Sequence, residues 1–515
     1  MRNLLVCCDG TWNTQDDKQG GIPSPTNVVR LYNALAERND QGVEQLRYYH
    51  PGVGTDGGWW EKLVGGGLGI GLDGNIMSAY RWLGTNYQPG DRIFLFGFSR
   101  GAFTVRSLGG MISACGLLDL AGLPEPEVWA RVEAAYRQGY RNRDGRNWSA
   151  GWPFHPGKAA DGKVPVYFLG VWDTVGALGI PNDLSILNLL DDPKRYFFHD
   201  TELSGSVLNA RHAVALDEKR ASFAPTLWSN IAGRPDVKQV WFPGVHCDVG
   251  GGYLEKGLSD GALKWMMDEA GRQGLGFRPG MYAQVAPNPQ DVLHDSASGV
   301  FRLLRTQPRS IPPVSSASQA GALHQSALDR QDSPPITHAP YYPTTMLKPG
   351  EEKSLQIFAA QHWNYTGIYL ETDARYAFQA SGEWLDSHIK CGPEGPKKDT
   401  FQAGELAQML GAAWGKIEIA YKAITQNQDA DFKGTRREED KPWFALIGAI
   451  ANGGNPNPDG TPVPPETFLI GAGCEYPPQG GAMAKPGYLY CFANDAWDFY
   501  GNNRGSVTLT VRRLA

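Results

Sequence analysis

The sequence has no excess of positive charge, no long apolar run, no paired cysteine spacing and no internal repeat. Its 48 lysines and arginines are outnumbered by 54 aspartates and glutamates, for a net charge of −6, so nothing favours a nucleic-acid partner. The apolar stretch inside Met1–Asp9 is too short for a signal-peptide core and far too short to span a bilayer. It reads as a first strand, and the expectation is a protein made in the cytoplasm. The seven cysteines, Cys7, Cys8, Cys115, Cys247, Cys391, Cys474 and Cys491, show no metal-ligand spacing. An odd number without a signal peptide suggests free thiols, with a pair among Cys391, Cys474 and Cys491 left open should the protein be exported after folding. The stretch Gly453–Gly460 is a loop and not a low-complexity domain.

What is present is a change of texture along 515 residues, enough for two or three domains. Up to about residue 280, short apolar runs alternate with helical patterns. Strands are expected at Asn3–Cys8, Gln45–Tyr49, Arg92–Gly97, Val164–Val171, Arg211–Leu216 and Val237–Pro243, and helices at Asn27–Glu37, Gly74–Asn86 and Leu258–Ala270. Such alternation gives an α/β fold with a mostly parallel sheet covered on both faces. Residues 280–345 are rich in Pro, Ser, Gln and Ala and read as an irregular wrap or lid. From about residue 349, short strands at Ser354–Ala359, Tyr376–Ala380, Phe444–Ile450, Gly487–Phe492 and Ser506–Val511 lie between Gly, Pro and Asn turns, with a helical insertion near 403–423. That is the pattern of an all-β sandwich. The expected domains are 1–345 and 349–515.

The most informative motif is Gly97-Phe98-Ser99-Arg100-Gly101, set between the apolar run ending at Phe96 and a helical pattern through Val105, Leu108, Ile112 and Cys115. Strand, Gly-x-Ser-x-Gly, helix is the nucleophile elbow of a serine hydrolase. Such a serine needs a base, and the base needs a carboxylate, in the chain order serine, acid, histidine. Val166–Trp172 is an apolar run ending in Asp173, and Val240–Val245 is another ending in His246 before a glycine-rich turn. His212 and Asp217 are the competing base and acid, while His294 and His324 lie in the irregular segment. The Arg100 amide is one oxyanion donor by position, and the amides of Gly10 and Thr11, after the first strand, offer the second. In that loop Asp9 has the alternative role of orienting the turn. Cys8-Asp9-Gly10-Thr11 lacks the aspartyl nucleophile of a phosphatase, because Cys7 stands at that position. Gly69-Ile-Gly71-Leu-Asp-Gly74 matches a dinucleotide fingerprint only formally, since no clear strand precedes it. With Trp59 and Trp60 it reads better as an apolar rim loop suited to a lipid-facing site.

Taken together, Cys8–Asn13, Gly97–Ala102, Val171–Gly176 and Gly244–Gly251 resemble the α/β-hydrolase domain of the family 1 type VI secretion lipase effectors. Leu323-His324-Gln325-Ser326 fits the same family, and the resemblance covers roughly the first two thirds of the chain. It implies a serine esterase of the phospholipase type with Ser99, Asp173 and His246 as the triad and no cofactor for the hydrolysis. It also implies a lipid or phospholipid ester substrate at a membrane surface, a secretion carrier, an immunity protein, and export by a type VI system without a signal peptide.

Near the C-terminus, Asp495, Asn502 and Asn503 supply hard oxygens from one loop, with the Phe499 carbonyl between them, a donor set suited to calcium or to a plain Asx turn. The stretch Tyr488–Val507, with Gly382–Ser387 and Gly392–Gly395, resembles the PA-I type calcium-dependent galactophilic lectins. That resemblance implies Ca2+ held by the side chains of Asp495, Asn502 and Asn503 and the carbonyls of Phe499 and Ser387, bridged to two hydroxyls of a galactose-like sugar. Ser387 stands where those lectins have a tyrosine, and segment 396–441 is longer than theirs. Trp497 either stacks on the sugar or packs. Two functional classes therefore stand: a lipid-ester hydrolase with a sugar-binding targeting module, or a carbohydrate-binding or interaction protein whose hydrolase domain is an inactive scaffold.

Overall fold

The computed structural model of the chain describes residues 1–10, 18–19, 21–52, 72–142, 149, 151–159, 162–176, 202–298, 304–316, 318–396, 436–457 and 461–514. It divides into two compact units. The first comprises Met1–Thr306, Ser316–Tyr341 and Asn455–Val463; the second comprises Gln307–Ser315, Tyr342–Gly454 and Pro464–Ala515.

The first unit is built on six strands: β1 (Asn3–Cys8), β2 (Gln45–His50), β3 (Arg92–Phe98), β4 (Val166–Trp172), β5 (Val207–Ala215) and β6 (Val237–Phe242). Their order is β2-β1-β3-β4-β5-β6, and every pairing is parallel. Every residue of β1 is buried, as expected for a parallel sheet with both faces covered. The two faces divide β1 by its period of two. Leu4 and Val6 join a core with Leu83, Leu108 and Ile112 from helices α2 (Leu72–Asn86) and α3 (Arg100–Cys115). Leu5 and Cys7 join the opposite core with Val28, Leu31, Leu263 and Met266 from helices α1 (Asn27–Ala34) and α6 (Gly257–Arg272). In β3, Ile93 and Leu95 face the first core, while Phe94, Phe96 and Phe98 face the second. Each such buried side chain contributes about 1.5–3 kcal/mol of transfer free energy. Further helices among the described residues of this unit include α4 (Glu125–Ala134), the five-residue α5 (His246–Gly250) and α7 (Gln325–Asp332). Within 280–345 the described residues include the end of a short helix at Pro279–Tyr282 and α7, which the His324 side chain caps by accepting from Ser326 N.

The second unit is antiparallel. Its strands are β7 (Glu352–Phe358), β8 (Asn364–Leu370), β9 (Tyr376–Ser381), β10 (Trp384–Asp386), β11 (Ile389–Gly392), β12 (Gly395–Pro396), β13 (Leu446–Ala451), β14 (Glu466–Leu469), β15 (Gly473–Tyr476), β16 (Gly487–Ala493) and β17 (Arg504–Arg513). One sheet has the order β8-β16-β13-β14; the other runs β12-β11-β10-β17-β9-β15, with β7 also paired to β17. Trp384, Tyr376, Phe444, Leu489, Val507 and Val511 lie in its core. The helical insertion expected near 403–423 lies outside the described residues.

All seven cysteines are free thiols, so the pair left open among Cys391, Cys474 and Cys491 is not made. Cys391 is on β11 and Cys474 on β15, with three strands between them in the same sheet, while Cys491 is on β16 of the other sheet. At about 4.8 Å per strand, the first two are beyond the reach of a disulfide.

Candidate active site

The elbow forms where β3 hands over to α3. Ser99 has φ 57° and ψ −124°, a conformation that non-glycine residues adopt only where the surroundings impose it. Both flanking glycines are sterically required. A methyl group on Gly97 would lie 2.4 Å from Gly101 O, and one on Gly101 would lie 2.1 Å from Cys8 O. The turn is therefore closed against its own strand and against the end of β1. Ser99 N donates to Trp172 O at 3.1 Å, which ties the elbow to the end of β4.

Asp173 follows β4 directly, with φ 32°, and is fully buried. Its Oδ1 accepts Ala215 N at 3.0 Å, and its Oδ2 lies 2.6 Å from His246 Nδ1. His246 opens α5, just past β6, so acid and base stand on either side of β5 at the carboxyl edge of the sheet. The imidazole is buried and packs against Phe98 at 4.6 Å and edge-on against Phe223 at 5.1 Å. Burial pushes its pKa below the ordinary 6.5, against the opposing pull of Asp173. With Nδ1 held by the carboxylate, Nε2 is the position left to act as base. No hydrogen bond joins Ser99 Oγ to His246 among the described residues; such contacts are often long before substrate binds. The glycine-rich turn is again a packing requirement, since a methyl group on Gly250 would lie 2.0 Å from the Phe98 ring.

The competing residues have other duties. His212 Nε2 accepts Thr174 N at 3.2 Å and its Nδ1 faces Gln239 Oε1 at 3.1 Å, so it buttresses the strand end beside Asp173. Asp217 accepts Gly244 N at 2.6 Å and the Tyr341 hydroxyl at 2.8 Å, and burial pushes its pKa up to about 6. His294 pairs with Asp248 at 2.6 Å and stacks on Tyr253. His324 stacks on Phe242, and burial pushes its pKa down to about 4.

The oxyanion reading needs a correction. Arg100 is the first residue of α3, where backbone N–H groups lack intrahelical acceptors. The Gly10 amide, by contrast, donates to Asp9 Oδ1 at 2.8 Å and is not available as a second donor in this geometry. The buried Asp9 carboxylate also accepts Thr26 Oγ1 and Tyr49 OH, both at 2.9 Å. Asp9 is thus the residue that orients this loop. Thr11, Trp59 and Trp60 lie outside the described residues, as do Gly69–Gly71, while Leu72–Gly74 open α2.

In the second unit, Asp495 is fully buried, accepting Ala496 N at 2.7 Å and Asn503 Nδ2 at 2.9 Å. Burial and the nearby Asp386 push its pKa up to about 6. Asn502 Nδ2 donates to Asp386 Oδ1 at 3.2 Å. Each amide nitrogen thus faces a carboxylate, which fixes which way both side chains point. Their oxygens, Asn502 Oδ1 and Asn503 Oδ1, are buried without a hydrogen-bond partner. Two orphaned amide oxygens beside a buried carboxylate fit a hard cation. Ser387, φ 53°, follows Asp386 after β10, and Phe499 is partly exposed in the loop before β17. Trp497 packs against His362 at 4.5 Å and lies 4.9 Å from the Arg437 guanidinium, which favours its packing role.

A family model for the catalytic domain of Tle1-like phospholipase effectors of type VI secretion matches residues 2–269, more than half of the chain. The chain belongs to this family. An uncharacterized Saccharomyces cerevisiae protein, YEL023C, is 33% identical over 238 residues, which is 43% of this chain and 32% of the yeast protein. An uncharacterized Pseudomonas aeruginosa crystal structure aligns at 20% identity and TM-score 0.32, over 56% of this chain and 49% of its own. A Tle1 effector bound to the VgrG spike aligns at 21% identity and TM-score 0.29, over 49% and 51%. The N-terminal domain of EclA, a PllA-like lectin, aligns at 15% identity and TM-score 0.18, over 31% of this chain and 94% of its own. The chain thus spans about a third of the curated relative and about half of the Pseudomonas structure.

Ser99, Asp173 and His246 all fall inside the span matched by the Tle1-like catalytic domain. So do the residues that the sequence reading missed. Glu218 accepts the His246 amide at 3.3 Å, Arg220 pairs with Glu218, and Phe223 packs on the imidazole. Their only signal in the sequence was a Glu-x-Arg next to a competing aspartate. Asp386, in the second unit, was passed over because its role is to hold Asn502.

Proposed function

We propose that this chain is a serine phospholipase of the type VI effector class, with Ser99 as nucleophile, His246 as general base and Asp173 as its orienting acid. The observation that carries the reading is the 2.6 Å Asp173–His246 bond at the sheet edge where Ser99 is held in its strained elbow. Ser99 Oγ attacks the ester carbonyl while His246 Nε2 takes its proton. The Arg100 amide donates to the oxyanion. His246 returns the proton to the leaving alcohol as the acyl-enzyme forms, and water then repeats the cycle to free the fatty acid and restore Ser99. Asp173 stays ionised and holds the imidazole through Nδ1.

Membership of an effector family supports a secretion carrier as partner, and a phospholipid bilayer as the surface of action. The expected immunity protein rests on the same resemblance. In the second unit, Asp495, Asn502 and Asn503, with the carbonyls of Phe499 and Ser387, are the residues that would hold Ca2+. A calcium ion there would offer open positions to the hydroxyls of a galactose-like sugar, which would make the unit a targeting module.

The test is release of fatty acid from phospholipid vesicles by the full chain and by Ser99→Ala. Loss of about 10⁴-fold or more in kcat is expected for the variant. Equal turnover by both proteins would remove Ser99 from the mechanism. A folded wild type inert on every ester would favour the binding-protein class.

A further inference from the structure

We infer that Glu218 and Arg220 are a positioning pair for the base: their buried ion pair holds the His246 turn by its backbone and steadies the imidazole through Phe223. The inference rests on His246 being the base. Glu218 and Arg220 are buried, with 1% and 6% of their surface exposed, in the stretch that follows β5. Glu218 Oε1 accepts Arg220 Nε at 2.9 Å, Arg220 N at 2.8 Å and Ser296 Oγ at 2.8 Å. Glu218 Oε2 accepts Arg220 Nη2 at 2.8 Å and the His246 amide at 3.3 Å. One carboxylate therefore fixes both the start of α5 and the guanidinium. That guanidinium lies 3.4 Å from the Phe223 ring centroid. Phe223 presents its ring to His246 at 75° and 5.1 Å, while Phe98, next to Ser99, lies against the same imidazole.

A buried ion pair is a poor way to gain stability, because desolvation offsets most of the attraction. What it provides is geometry and a balanced field. Arg220 disfavours the protonated imidazole and Glu218 favours it. As a pair they hold the ring while largely cancelling each other's charge. Among the described residues, the other charged group facing His246 is Asp173. Asp248, on His246's own helix, is engaged by His294, and Lys219 pairs with Asp295. Asp217 accepts Gly244 N and Tyr341 OH.

The test is the pH profile of kcat and KM on a soluble p-nitrophenyl ester, using the full chain and the variants Glu218→Gln, Arg220→Met, their double and Phe223→Leu. Glu218→Gln leaves the Arg220 charge uncompensated and moves the acidic limb to lower pH. Arg220→Met leaves the Glu218 charge and moves the limb to higher pH. Each shift is expected to be about half a unit or more. The double variant restores the limb but keeps kcat about tenfold low with KM little changed, as expected for a misplaced base. Should either single variant fail to fold by circular dichroism, the double and Phe223→Leu carry the test. Phe223 is only half-buried, and its replacement keeps the ion pair. A lowered kcat at unchanged KM is expected for it. Limbs that stay put or move together in the single variants would overturn the inference, as would wild-type kcat in the double or in Phe223→Leu. Ser99→Ala and His246→Ala run in the same series: if they retain activity, the triad itself fails; if only they lose it, this inference alone fails.

Discussion

Two glycines at the elbow decide the geometry around Ser99. Gly101 abuts the Cys8 carbonyl so closely that a methyl group would sit 2.1 Å from it. Gly101→Ala should therefore cost about 1–3 kcal/mol or more as the end of β1 is pushed away. Gly261, inside α6, has open space at its Cβ position, so Gly261→Ala should gain up to about 1 kcal/mol of helix propensity. Denaturant midpoints of the two variants, moving in opposite directions, check this contrast. The base gives a second prediction at this scale. In the proposed mechanism only neutral His246 takes the serine proton, and burial holds its pKa below the ordinary 6.5. Activity should therefore persist at pH 6.5 and fall as pH drops through the lower value. A kcat/KM profile with its acidic limb above 6.5 would contradict this.

At the scale of elements, the parallel sheet was legible because its strands are continuous apolar runs broken by turn residues. β1 was expected at Asn3–Cys8 and stands there. β5 starts earlier than expected, at Val207 in place of Arg211, because its first residues alternate exposed and buried positions at the sheet margin. In the second unit, β8, β10, β11, β12, β14 and β15 were missed. They are mostly short, and Glu466–Leu469 and Gly473–Tyr476 carry too few apolar residues to announce a strand. Ser99, Asp173 and His246 could be picked out as candidates because each follows an apolar run, and Asp173 and His246 lie 2.6 Å apart. Between the two roles read for the turn after β1, the Gly10 N–Asp9 Oδ1 bond favours Asp9 as its orienting residue, a choice that depends on a side-chain rotamer and not on residue order. The loop between β16 and β17 carries its own prediction. Asp495 has its pKa raised to about 6 by burial, so in the absence of a cation its ionisation removes stability as pH rises from the ordinary 3.8 to about 6. A bound Ca2+ reverses this. Above pH 6 calcium should stabilise the fold by about 2.7 kcal/mol at a hundredfold excess over Kd and so raise its thermal midpoint, with the gain fading as pH falls below 6. Differential scanning calorimetry with and without calcium, on wild type and Asn503→Ala, reads it. An equal midpoint in both conditions would remove calcium from the account.

In the whole molecule, the Asp173–His246 pair lies within the first unit and the Asp495, Asn502 and Asn503 oxygens within the second. Chemistry and targeting are then separable: chelation should leave hydrolysis of a soluble ester unchanged while altering any calcium-dependent sugar binding. The most direct measurement of the central claim is covalent trapping. The full chain would be treated with a fluorophosphonate ester, which phosphonylates only an activated serine, and the adduct mapped by peptide mass spectrometry. A single adduct on Ser99, abolished in Ser99→Ala and greatly slowed in His246→Ala, is the predicted result. An unmodified Ser99 in a chain that still hydrolyses phospholipid, or an adduct on another serine, would contradict it.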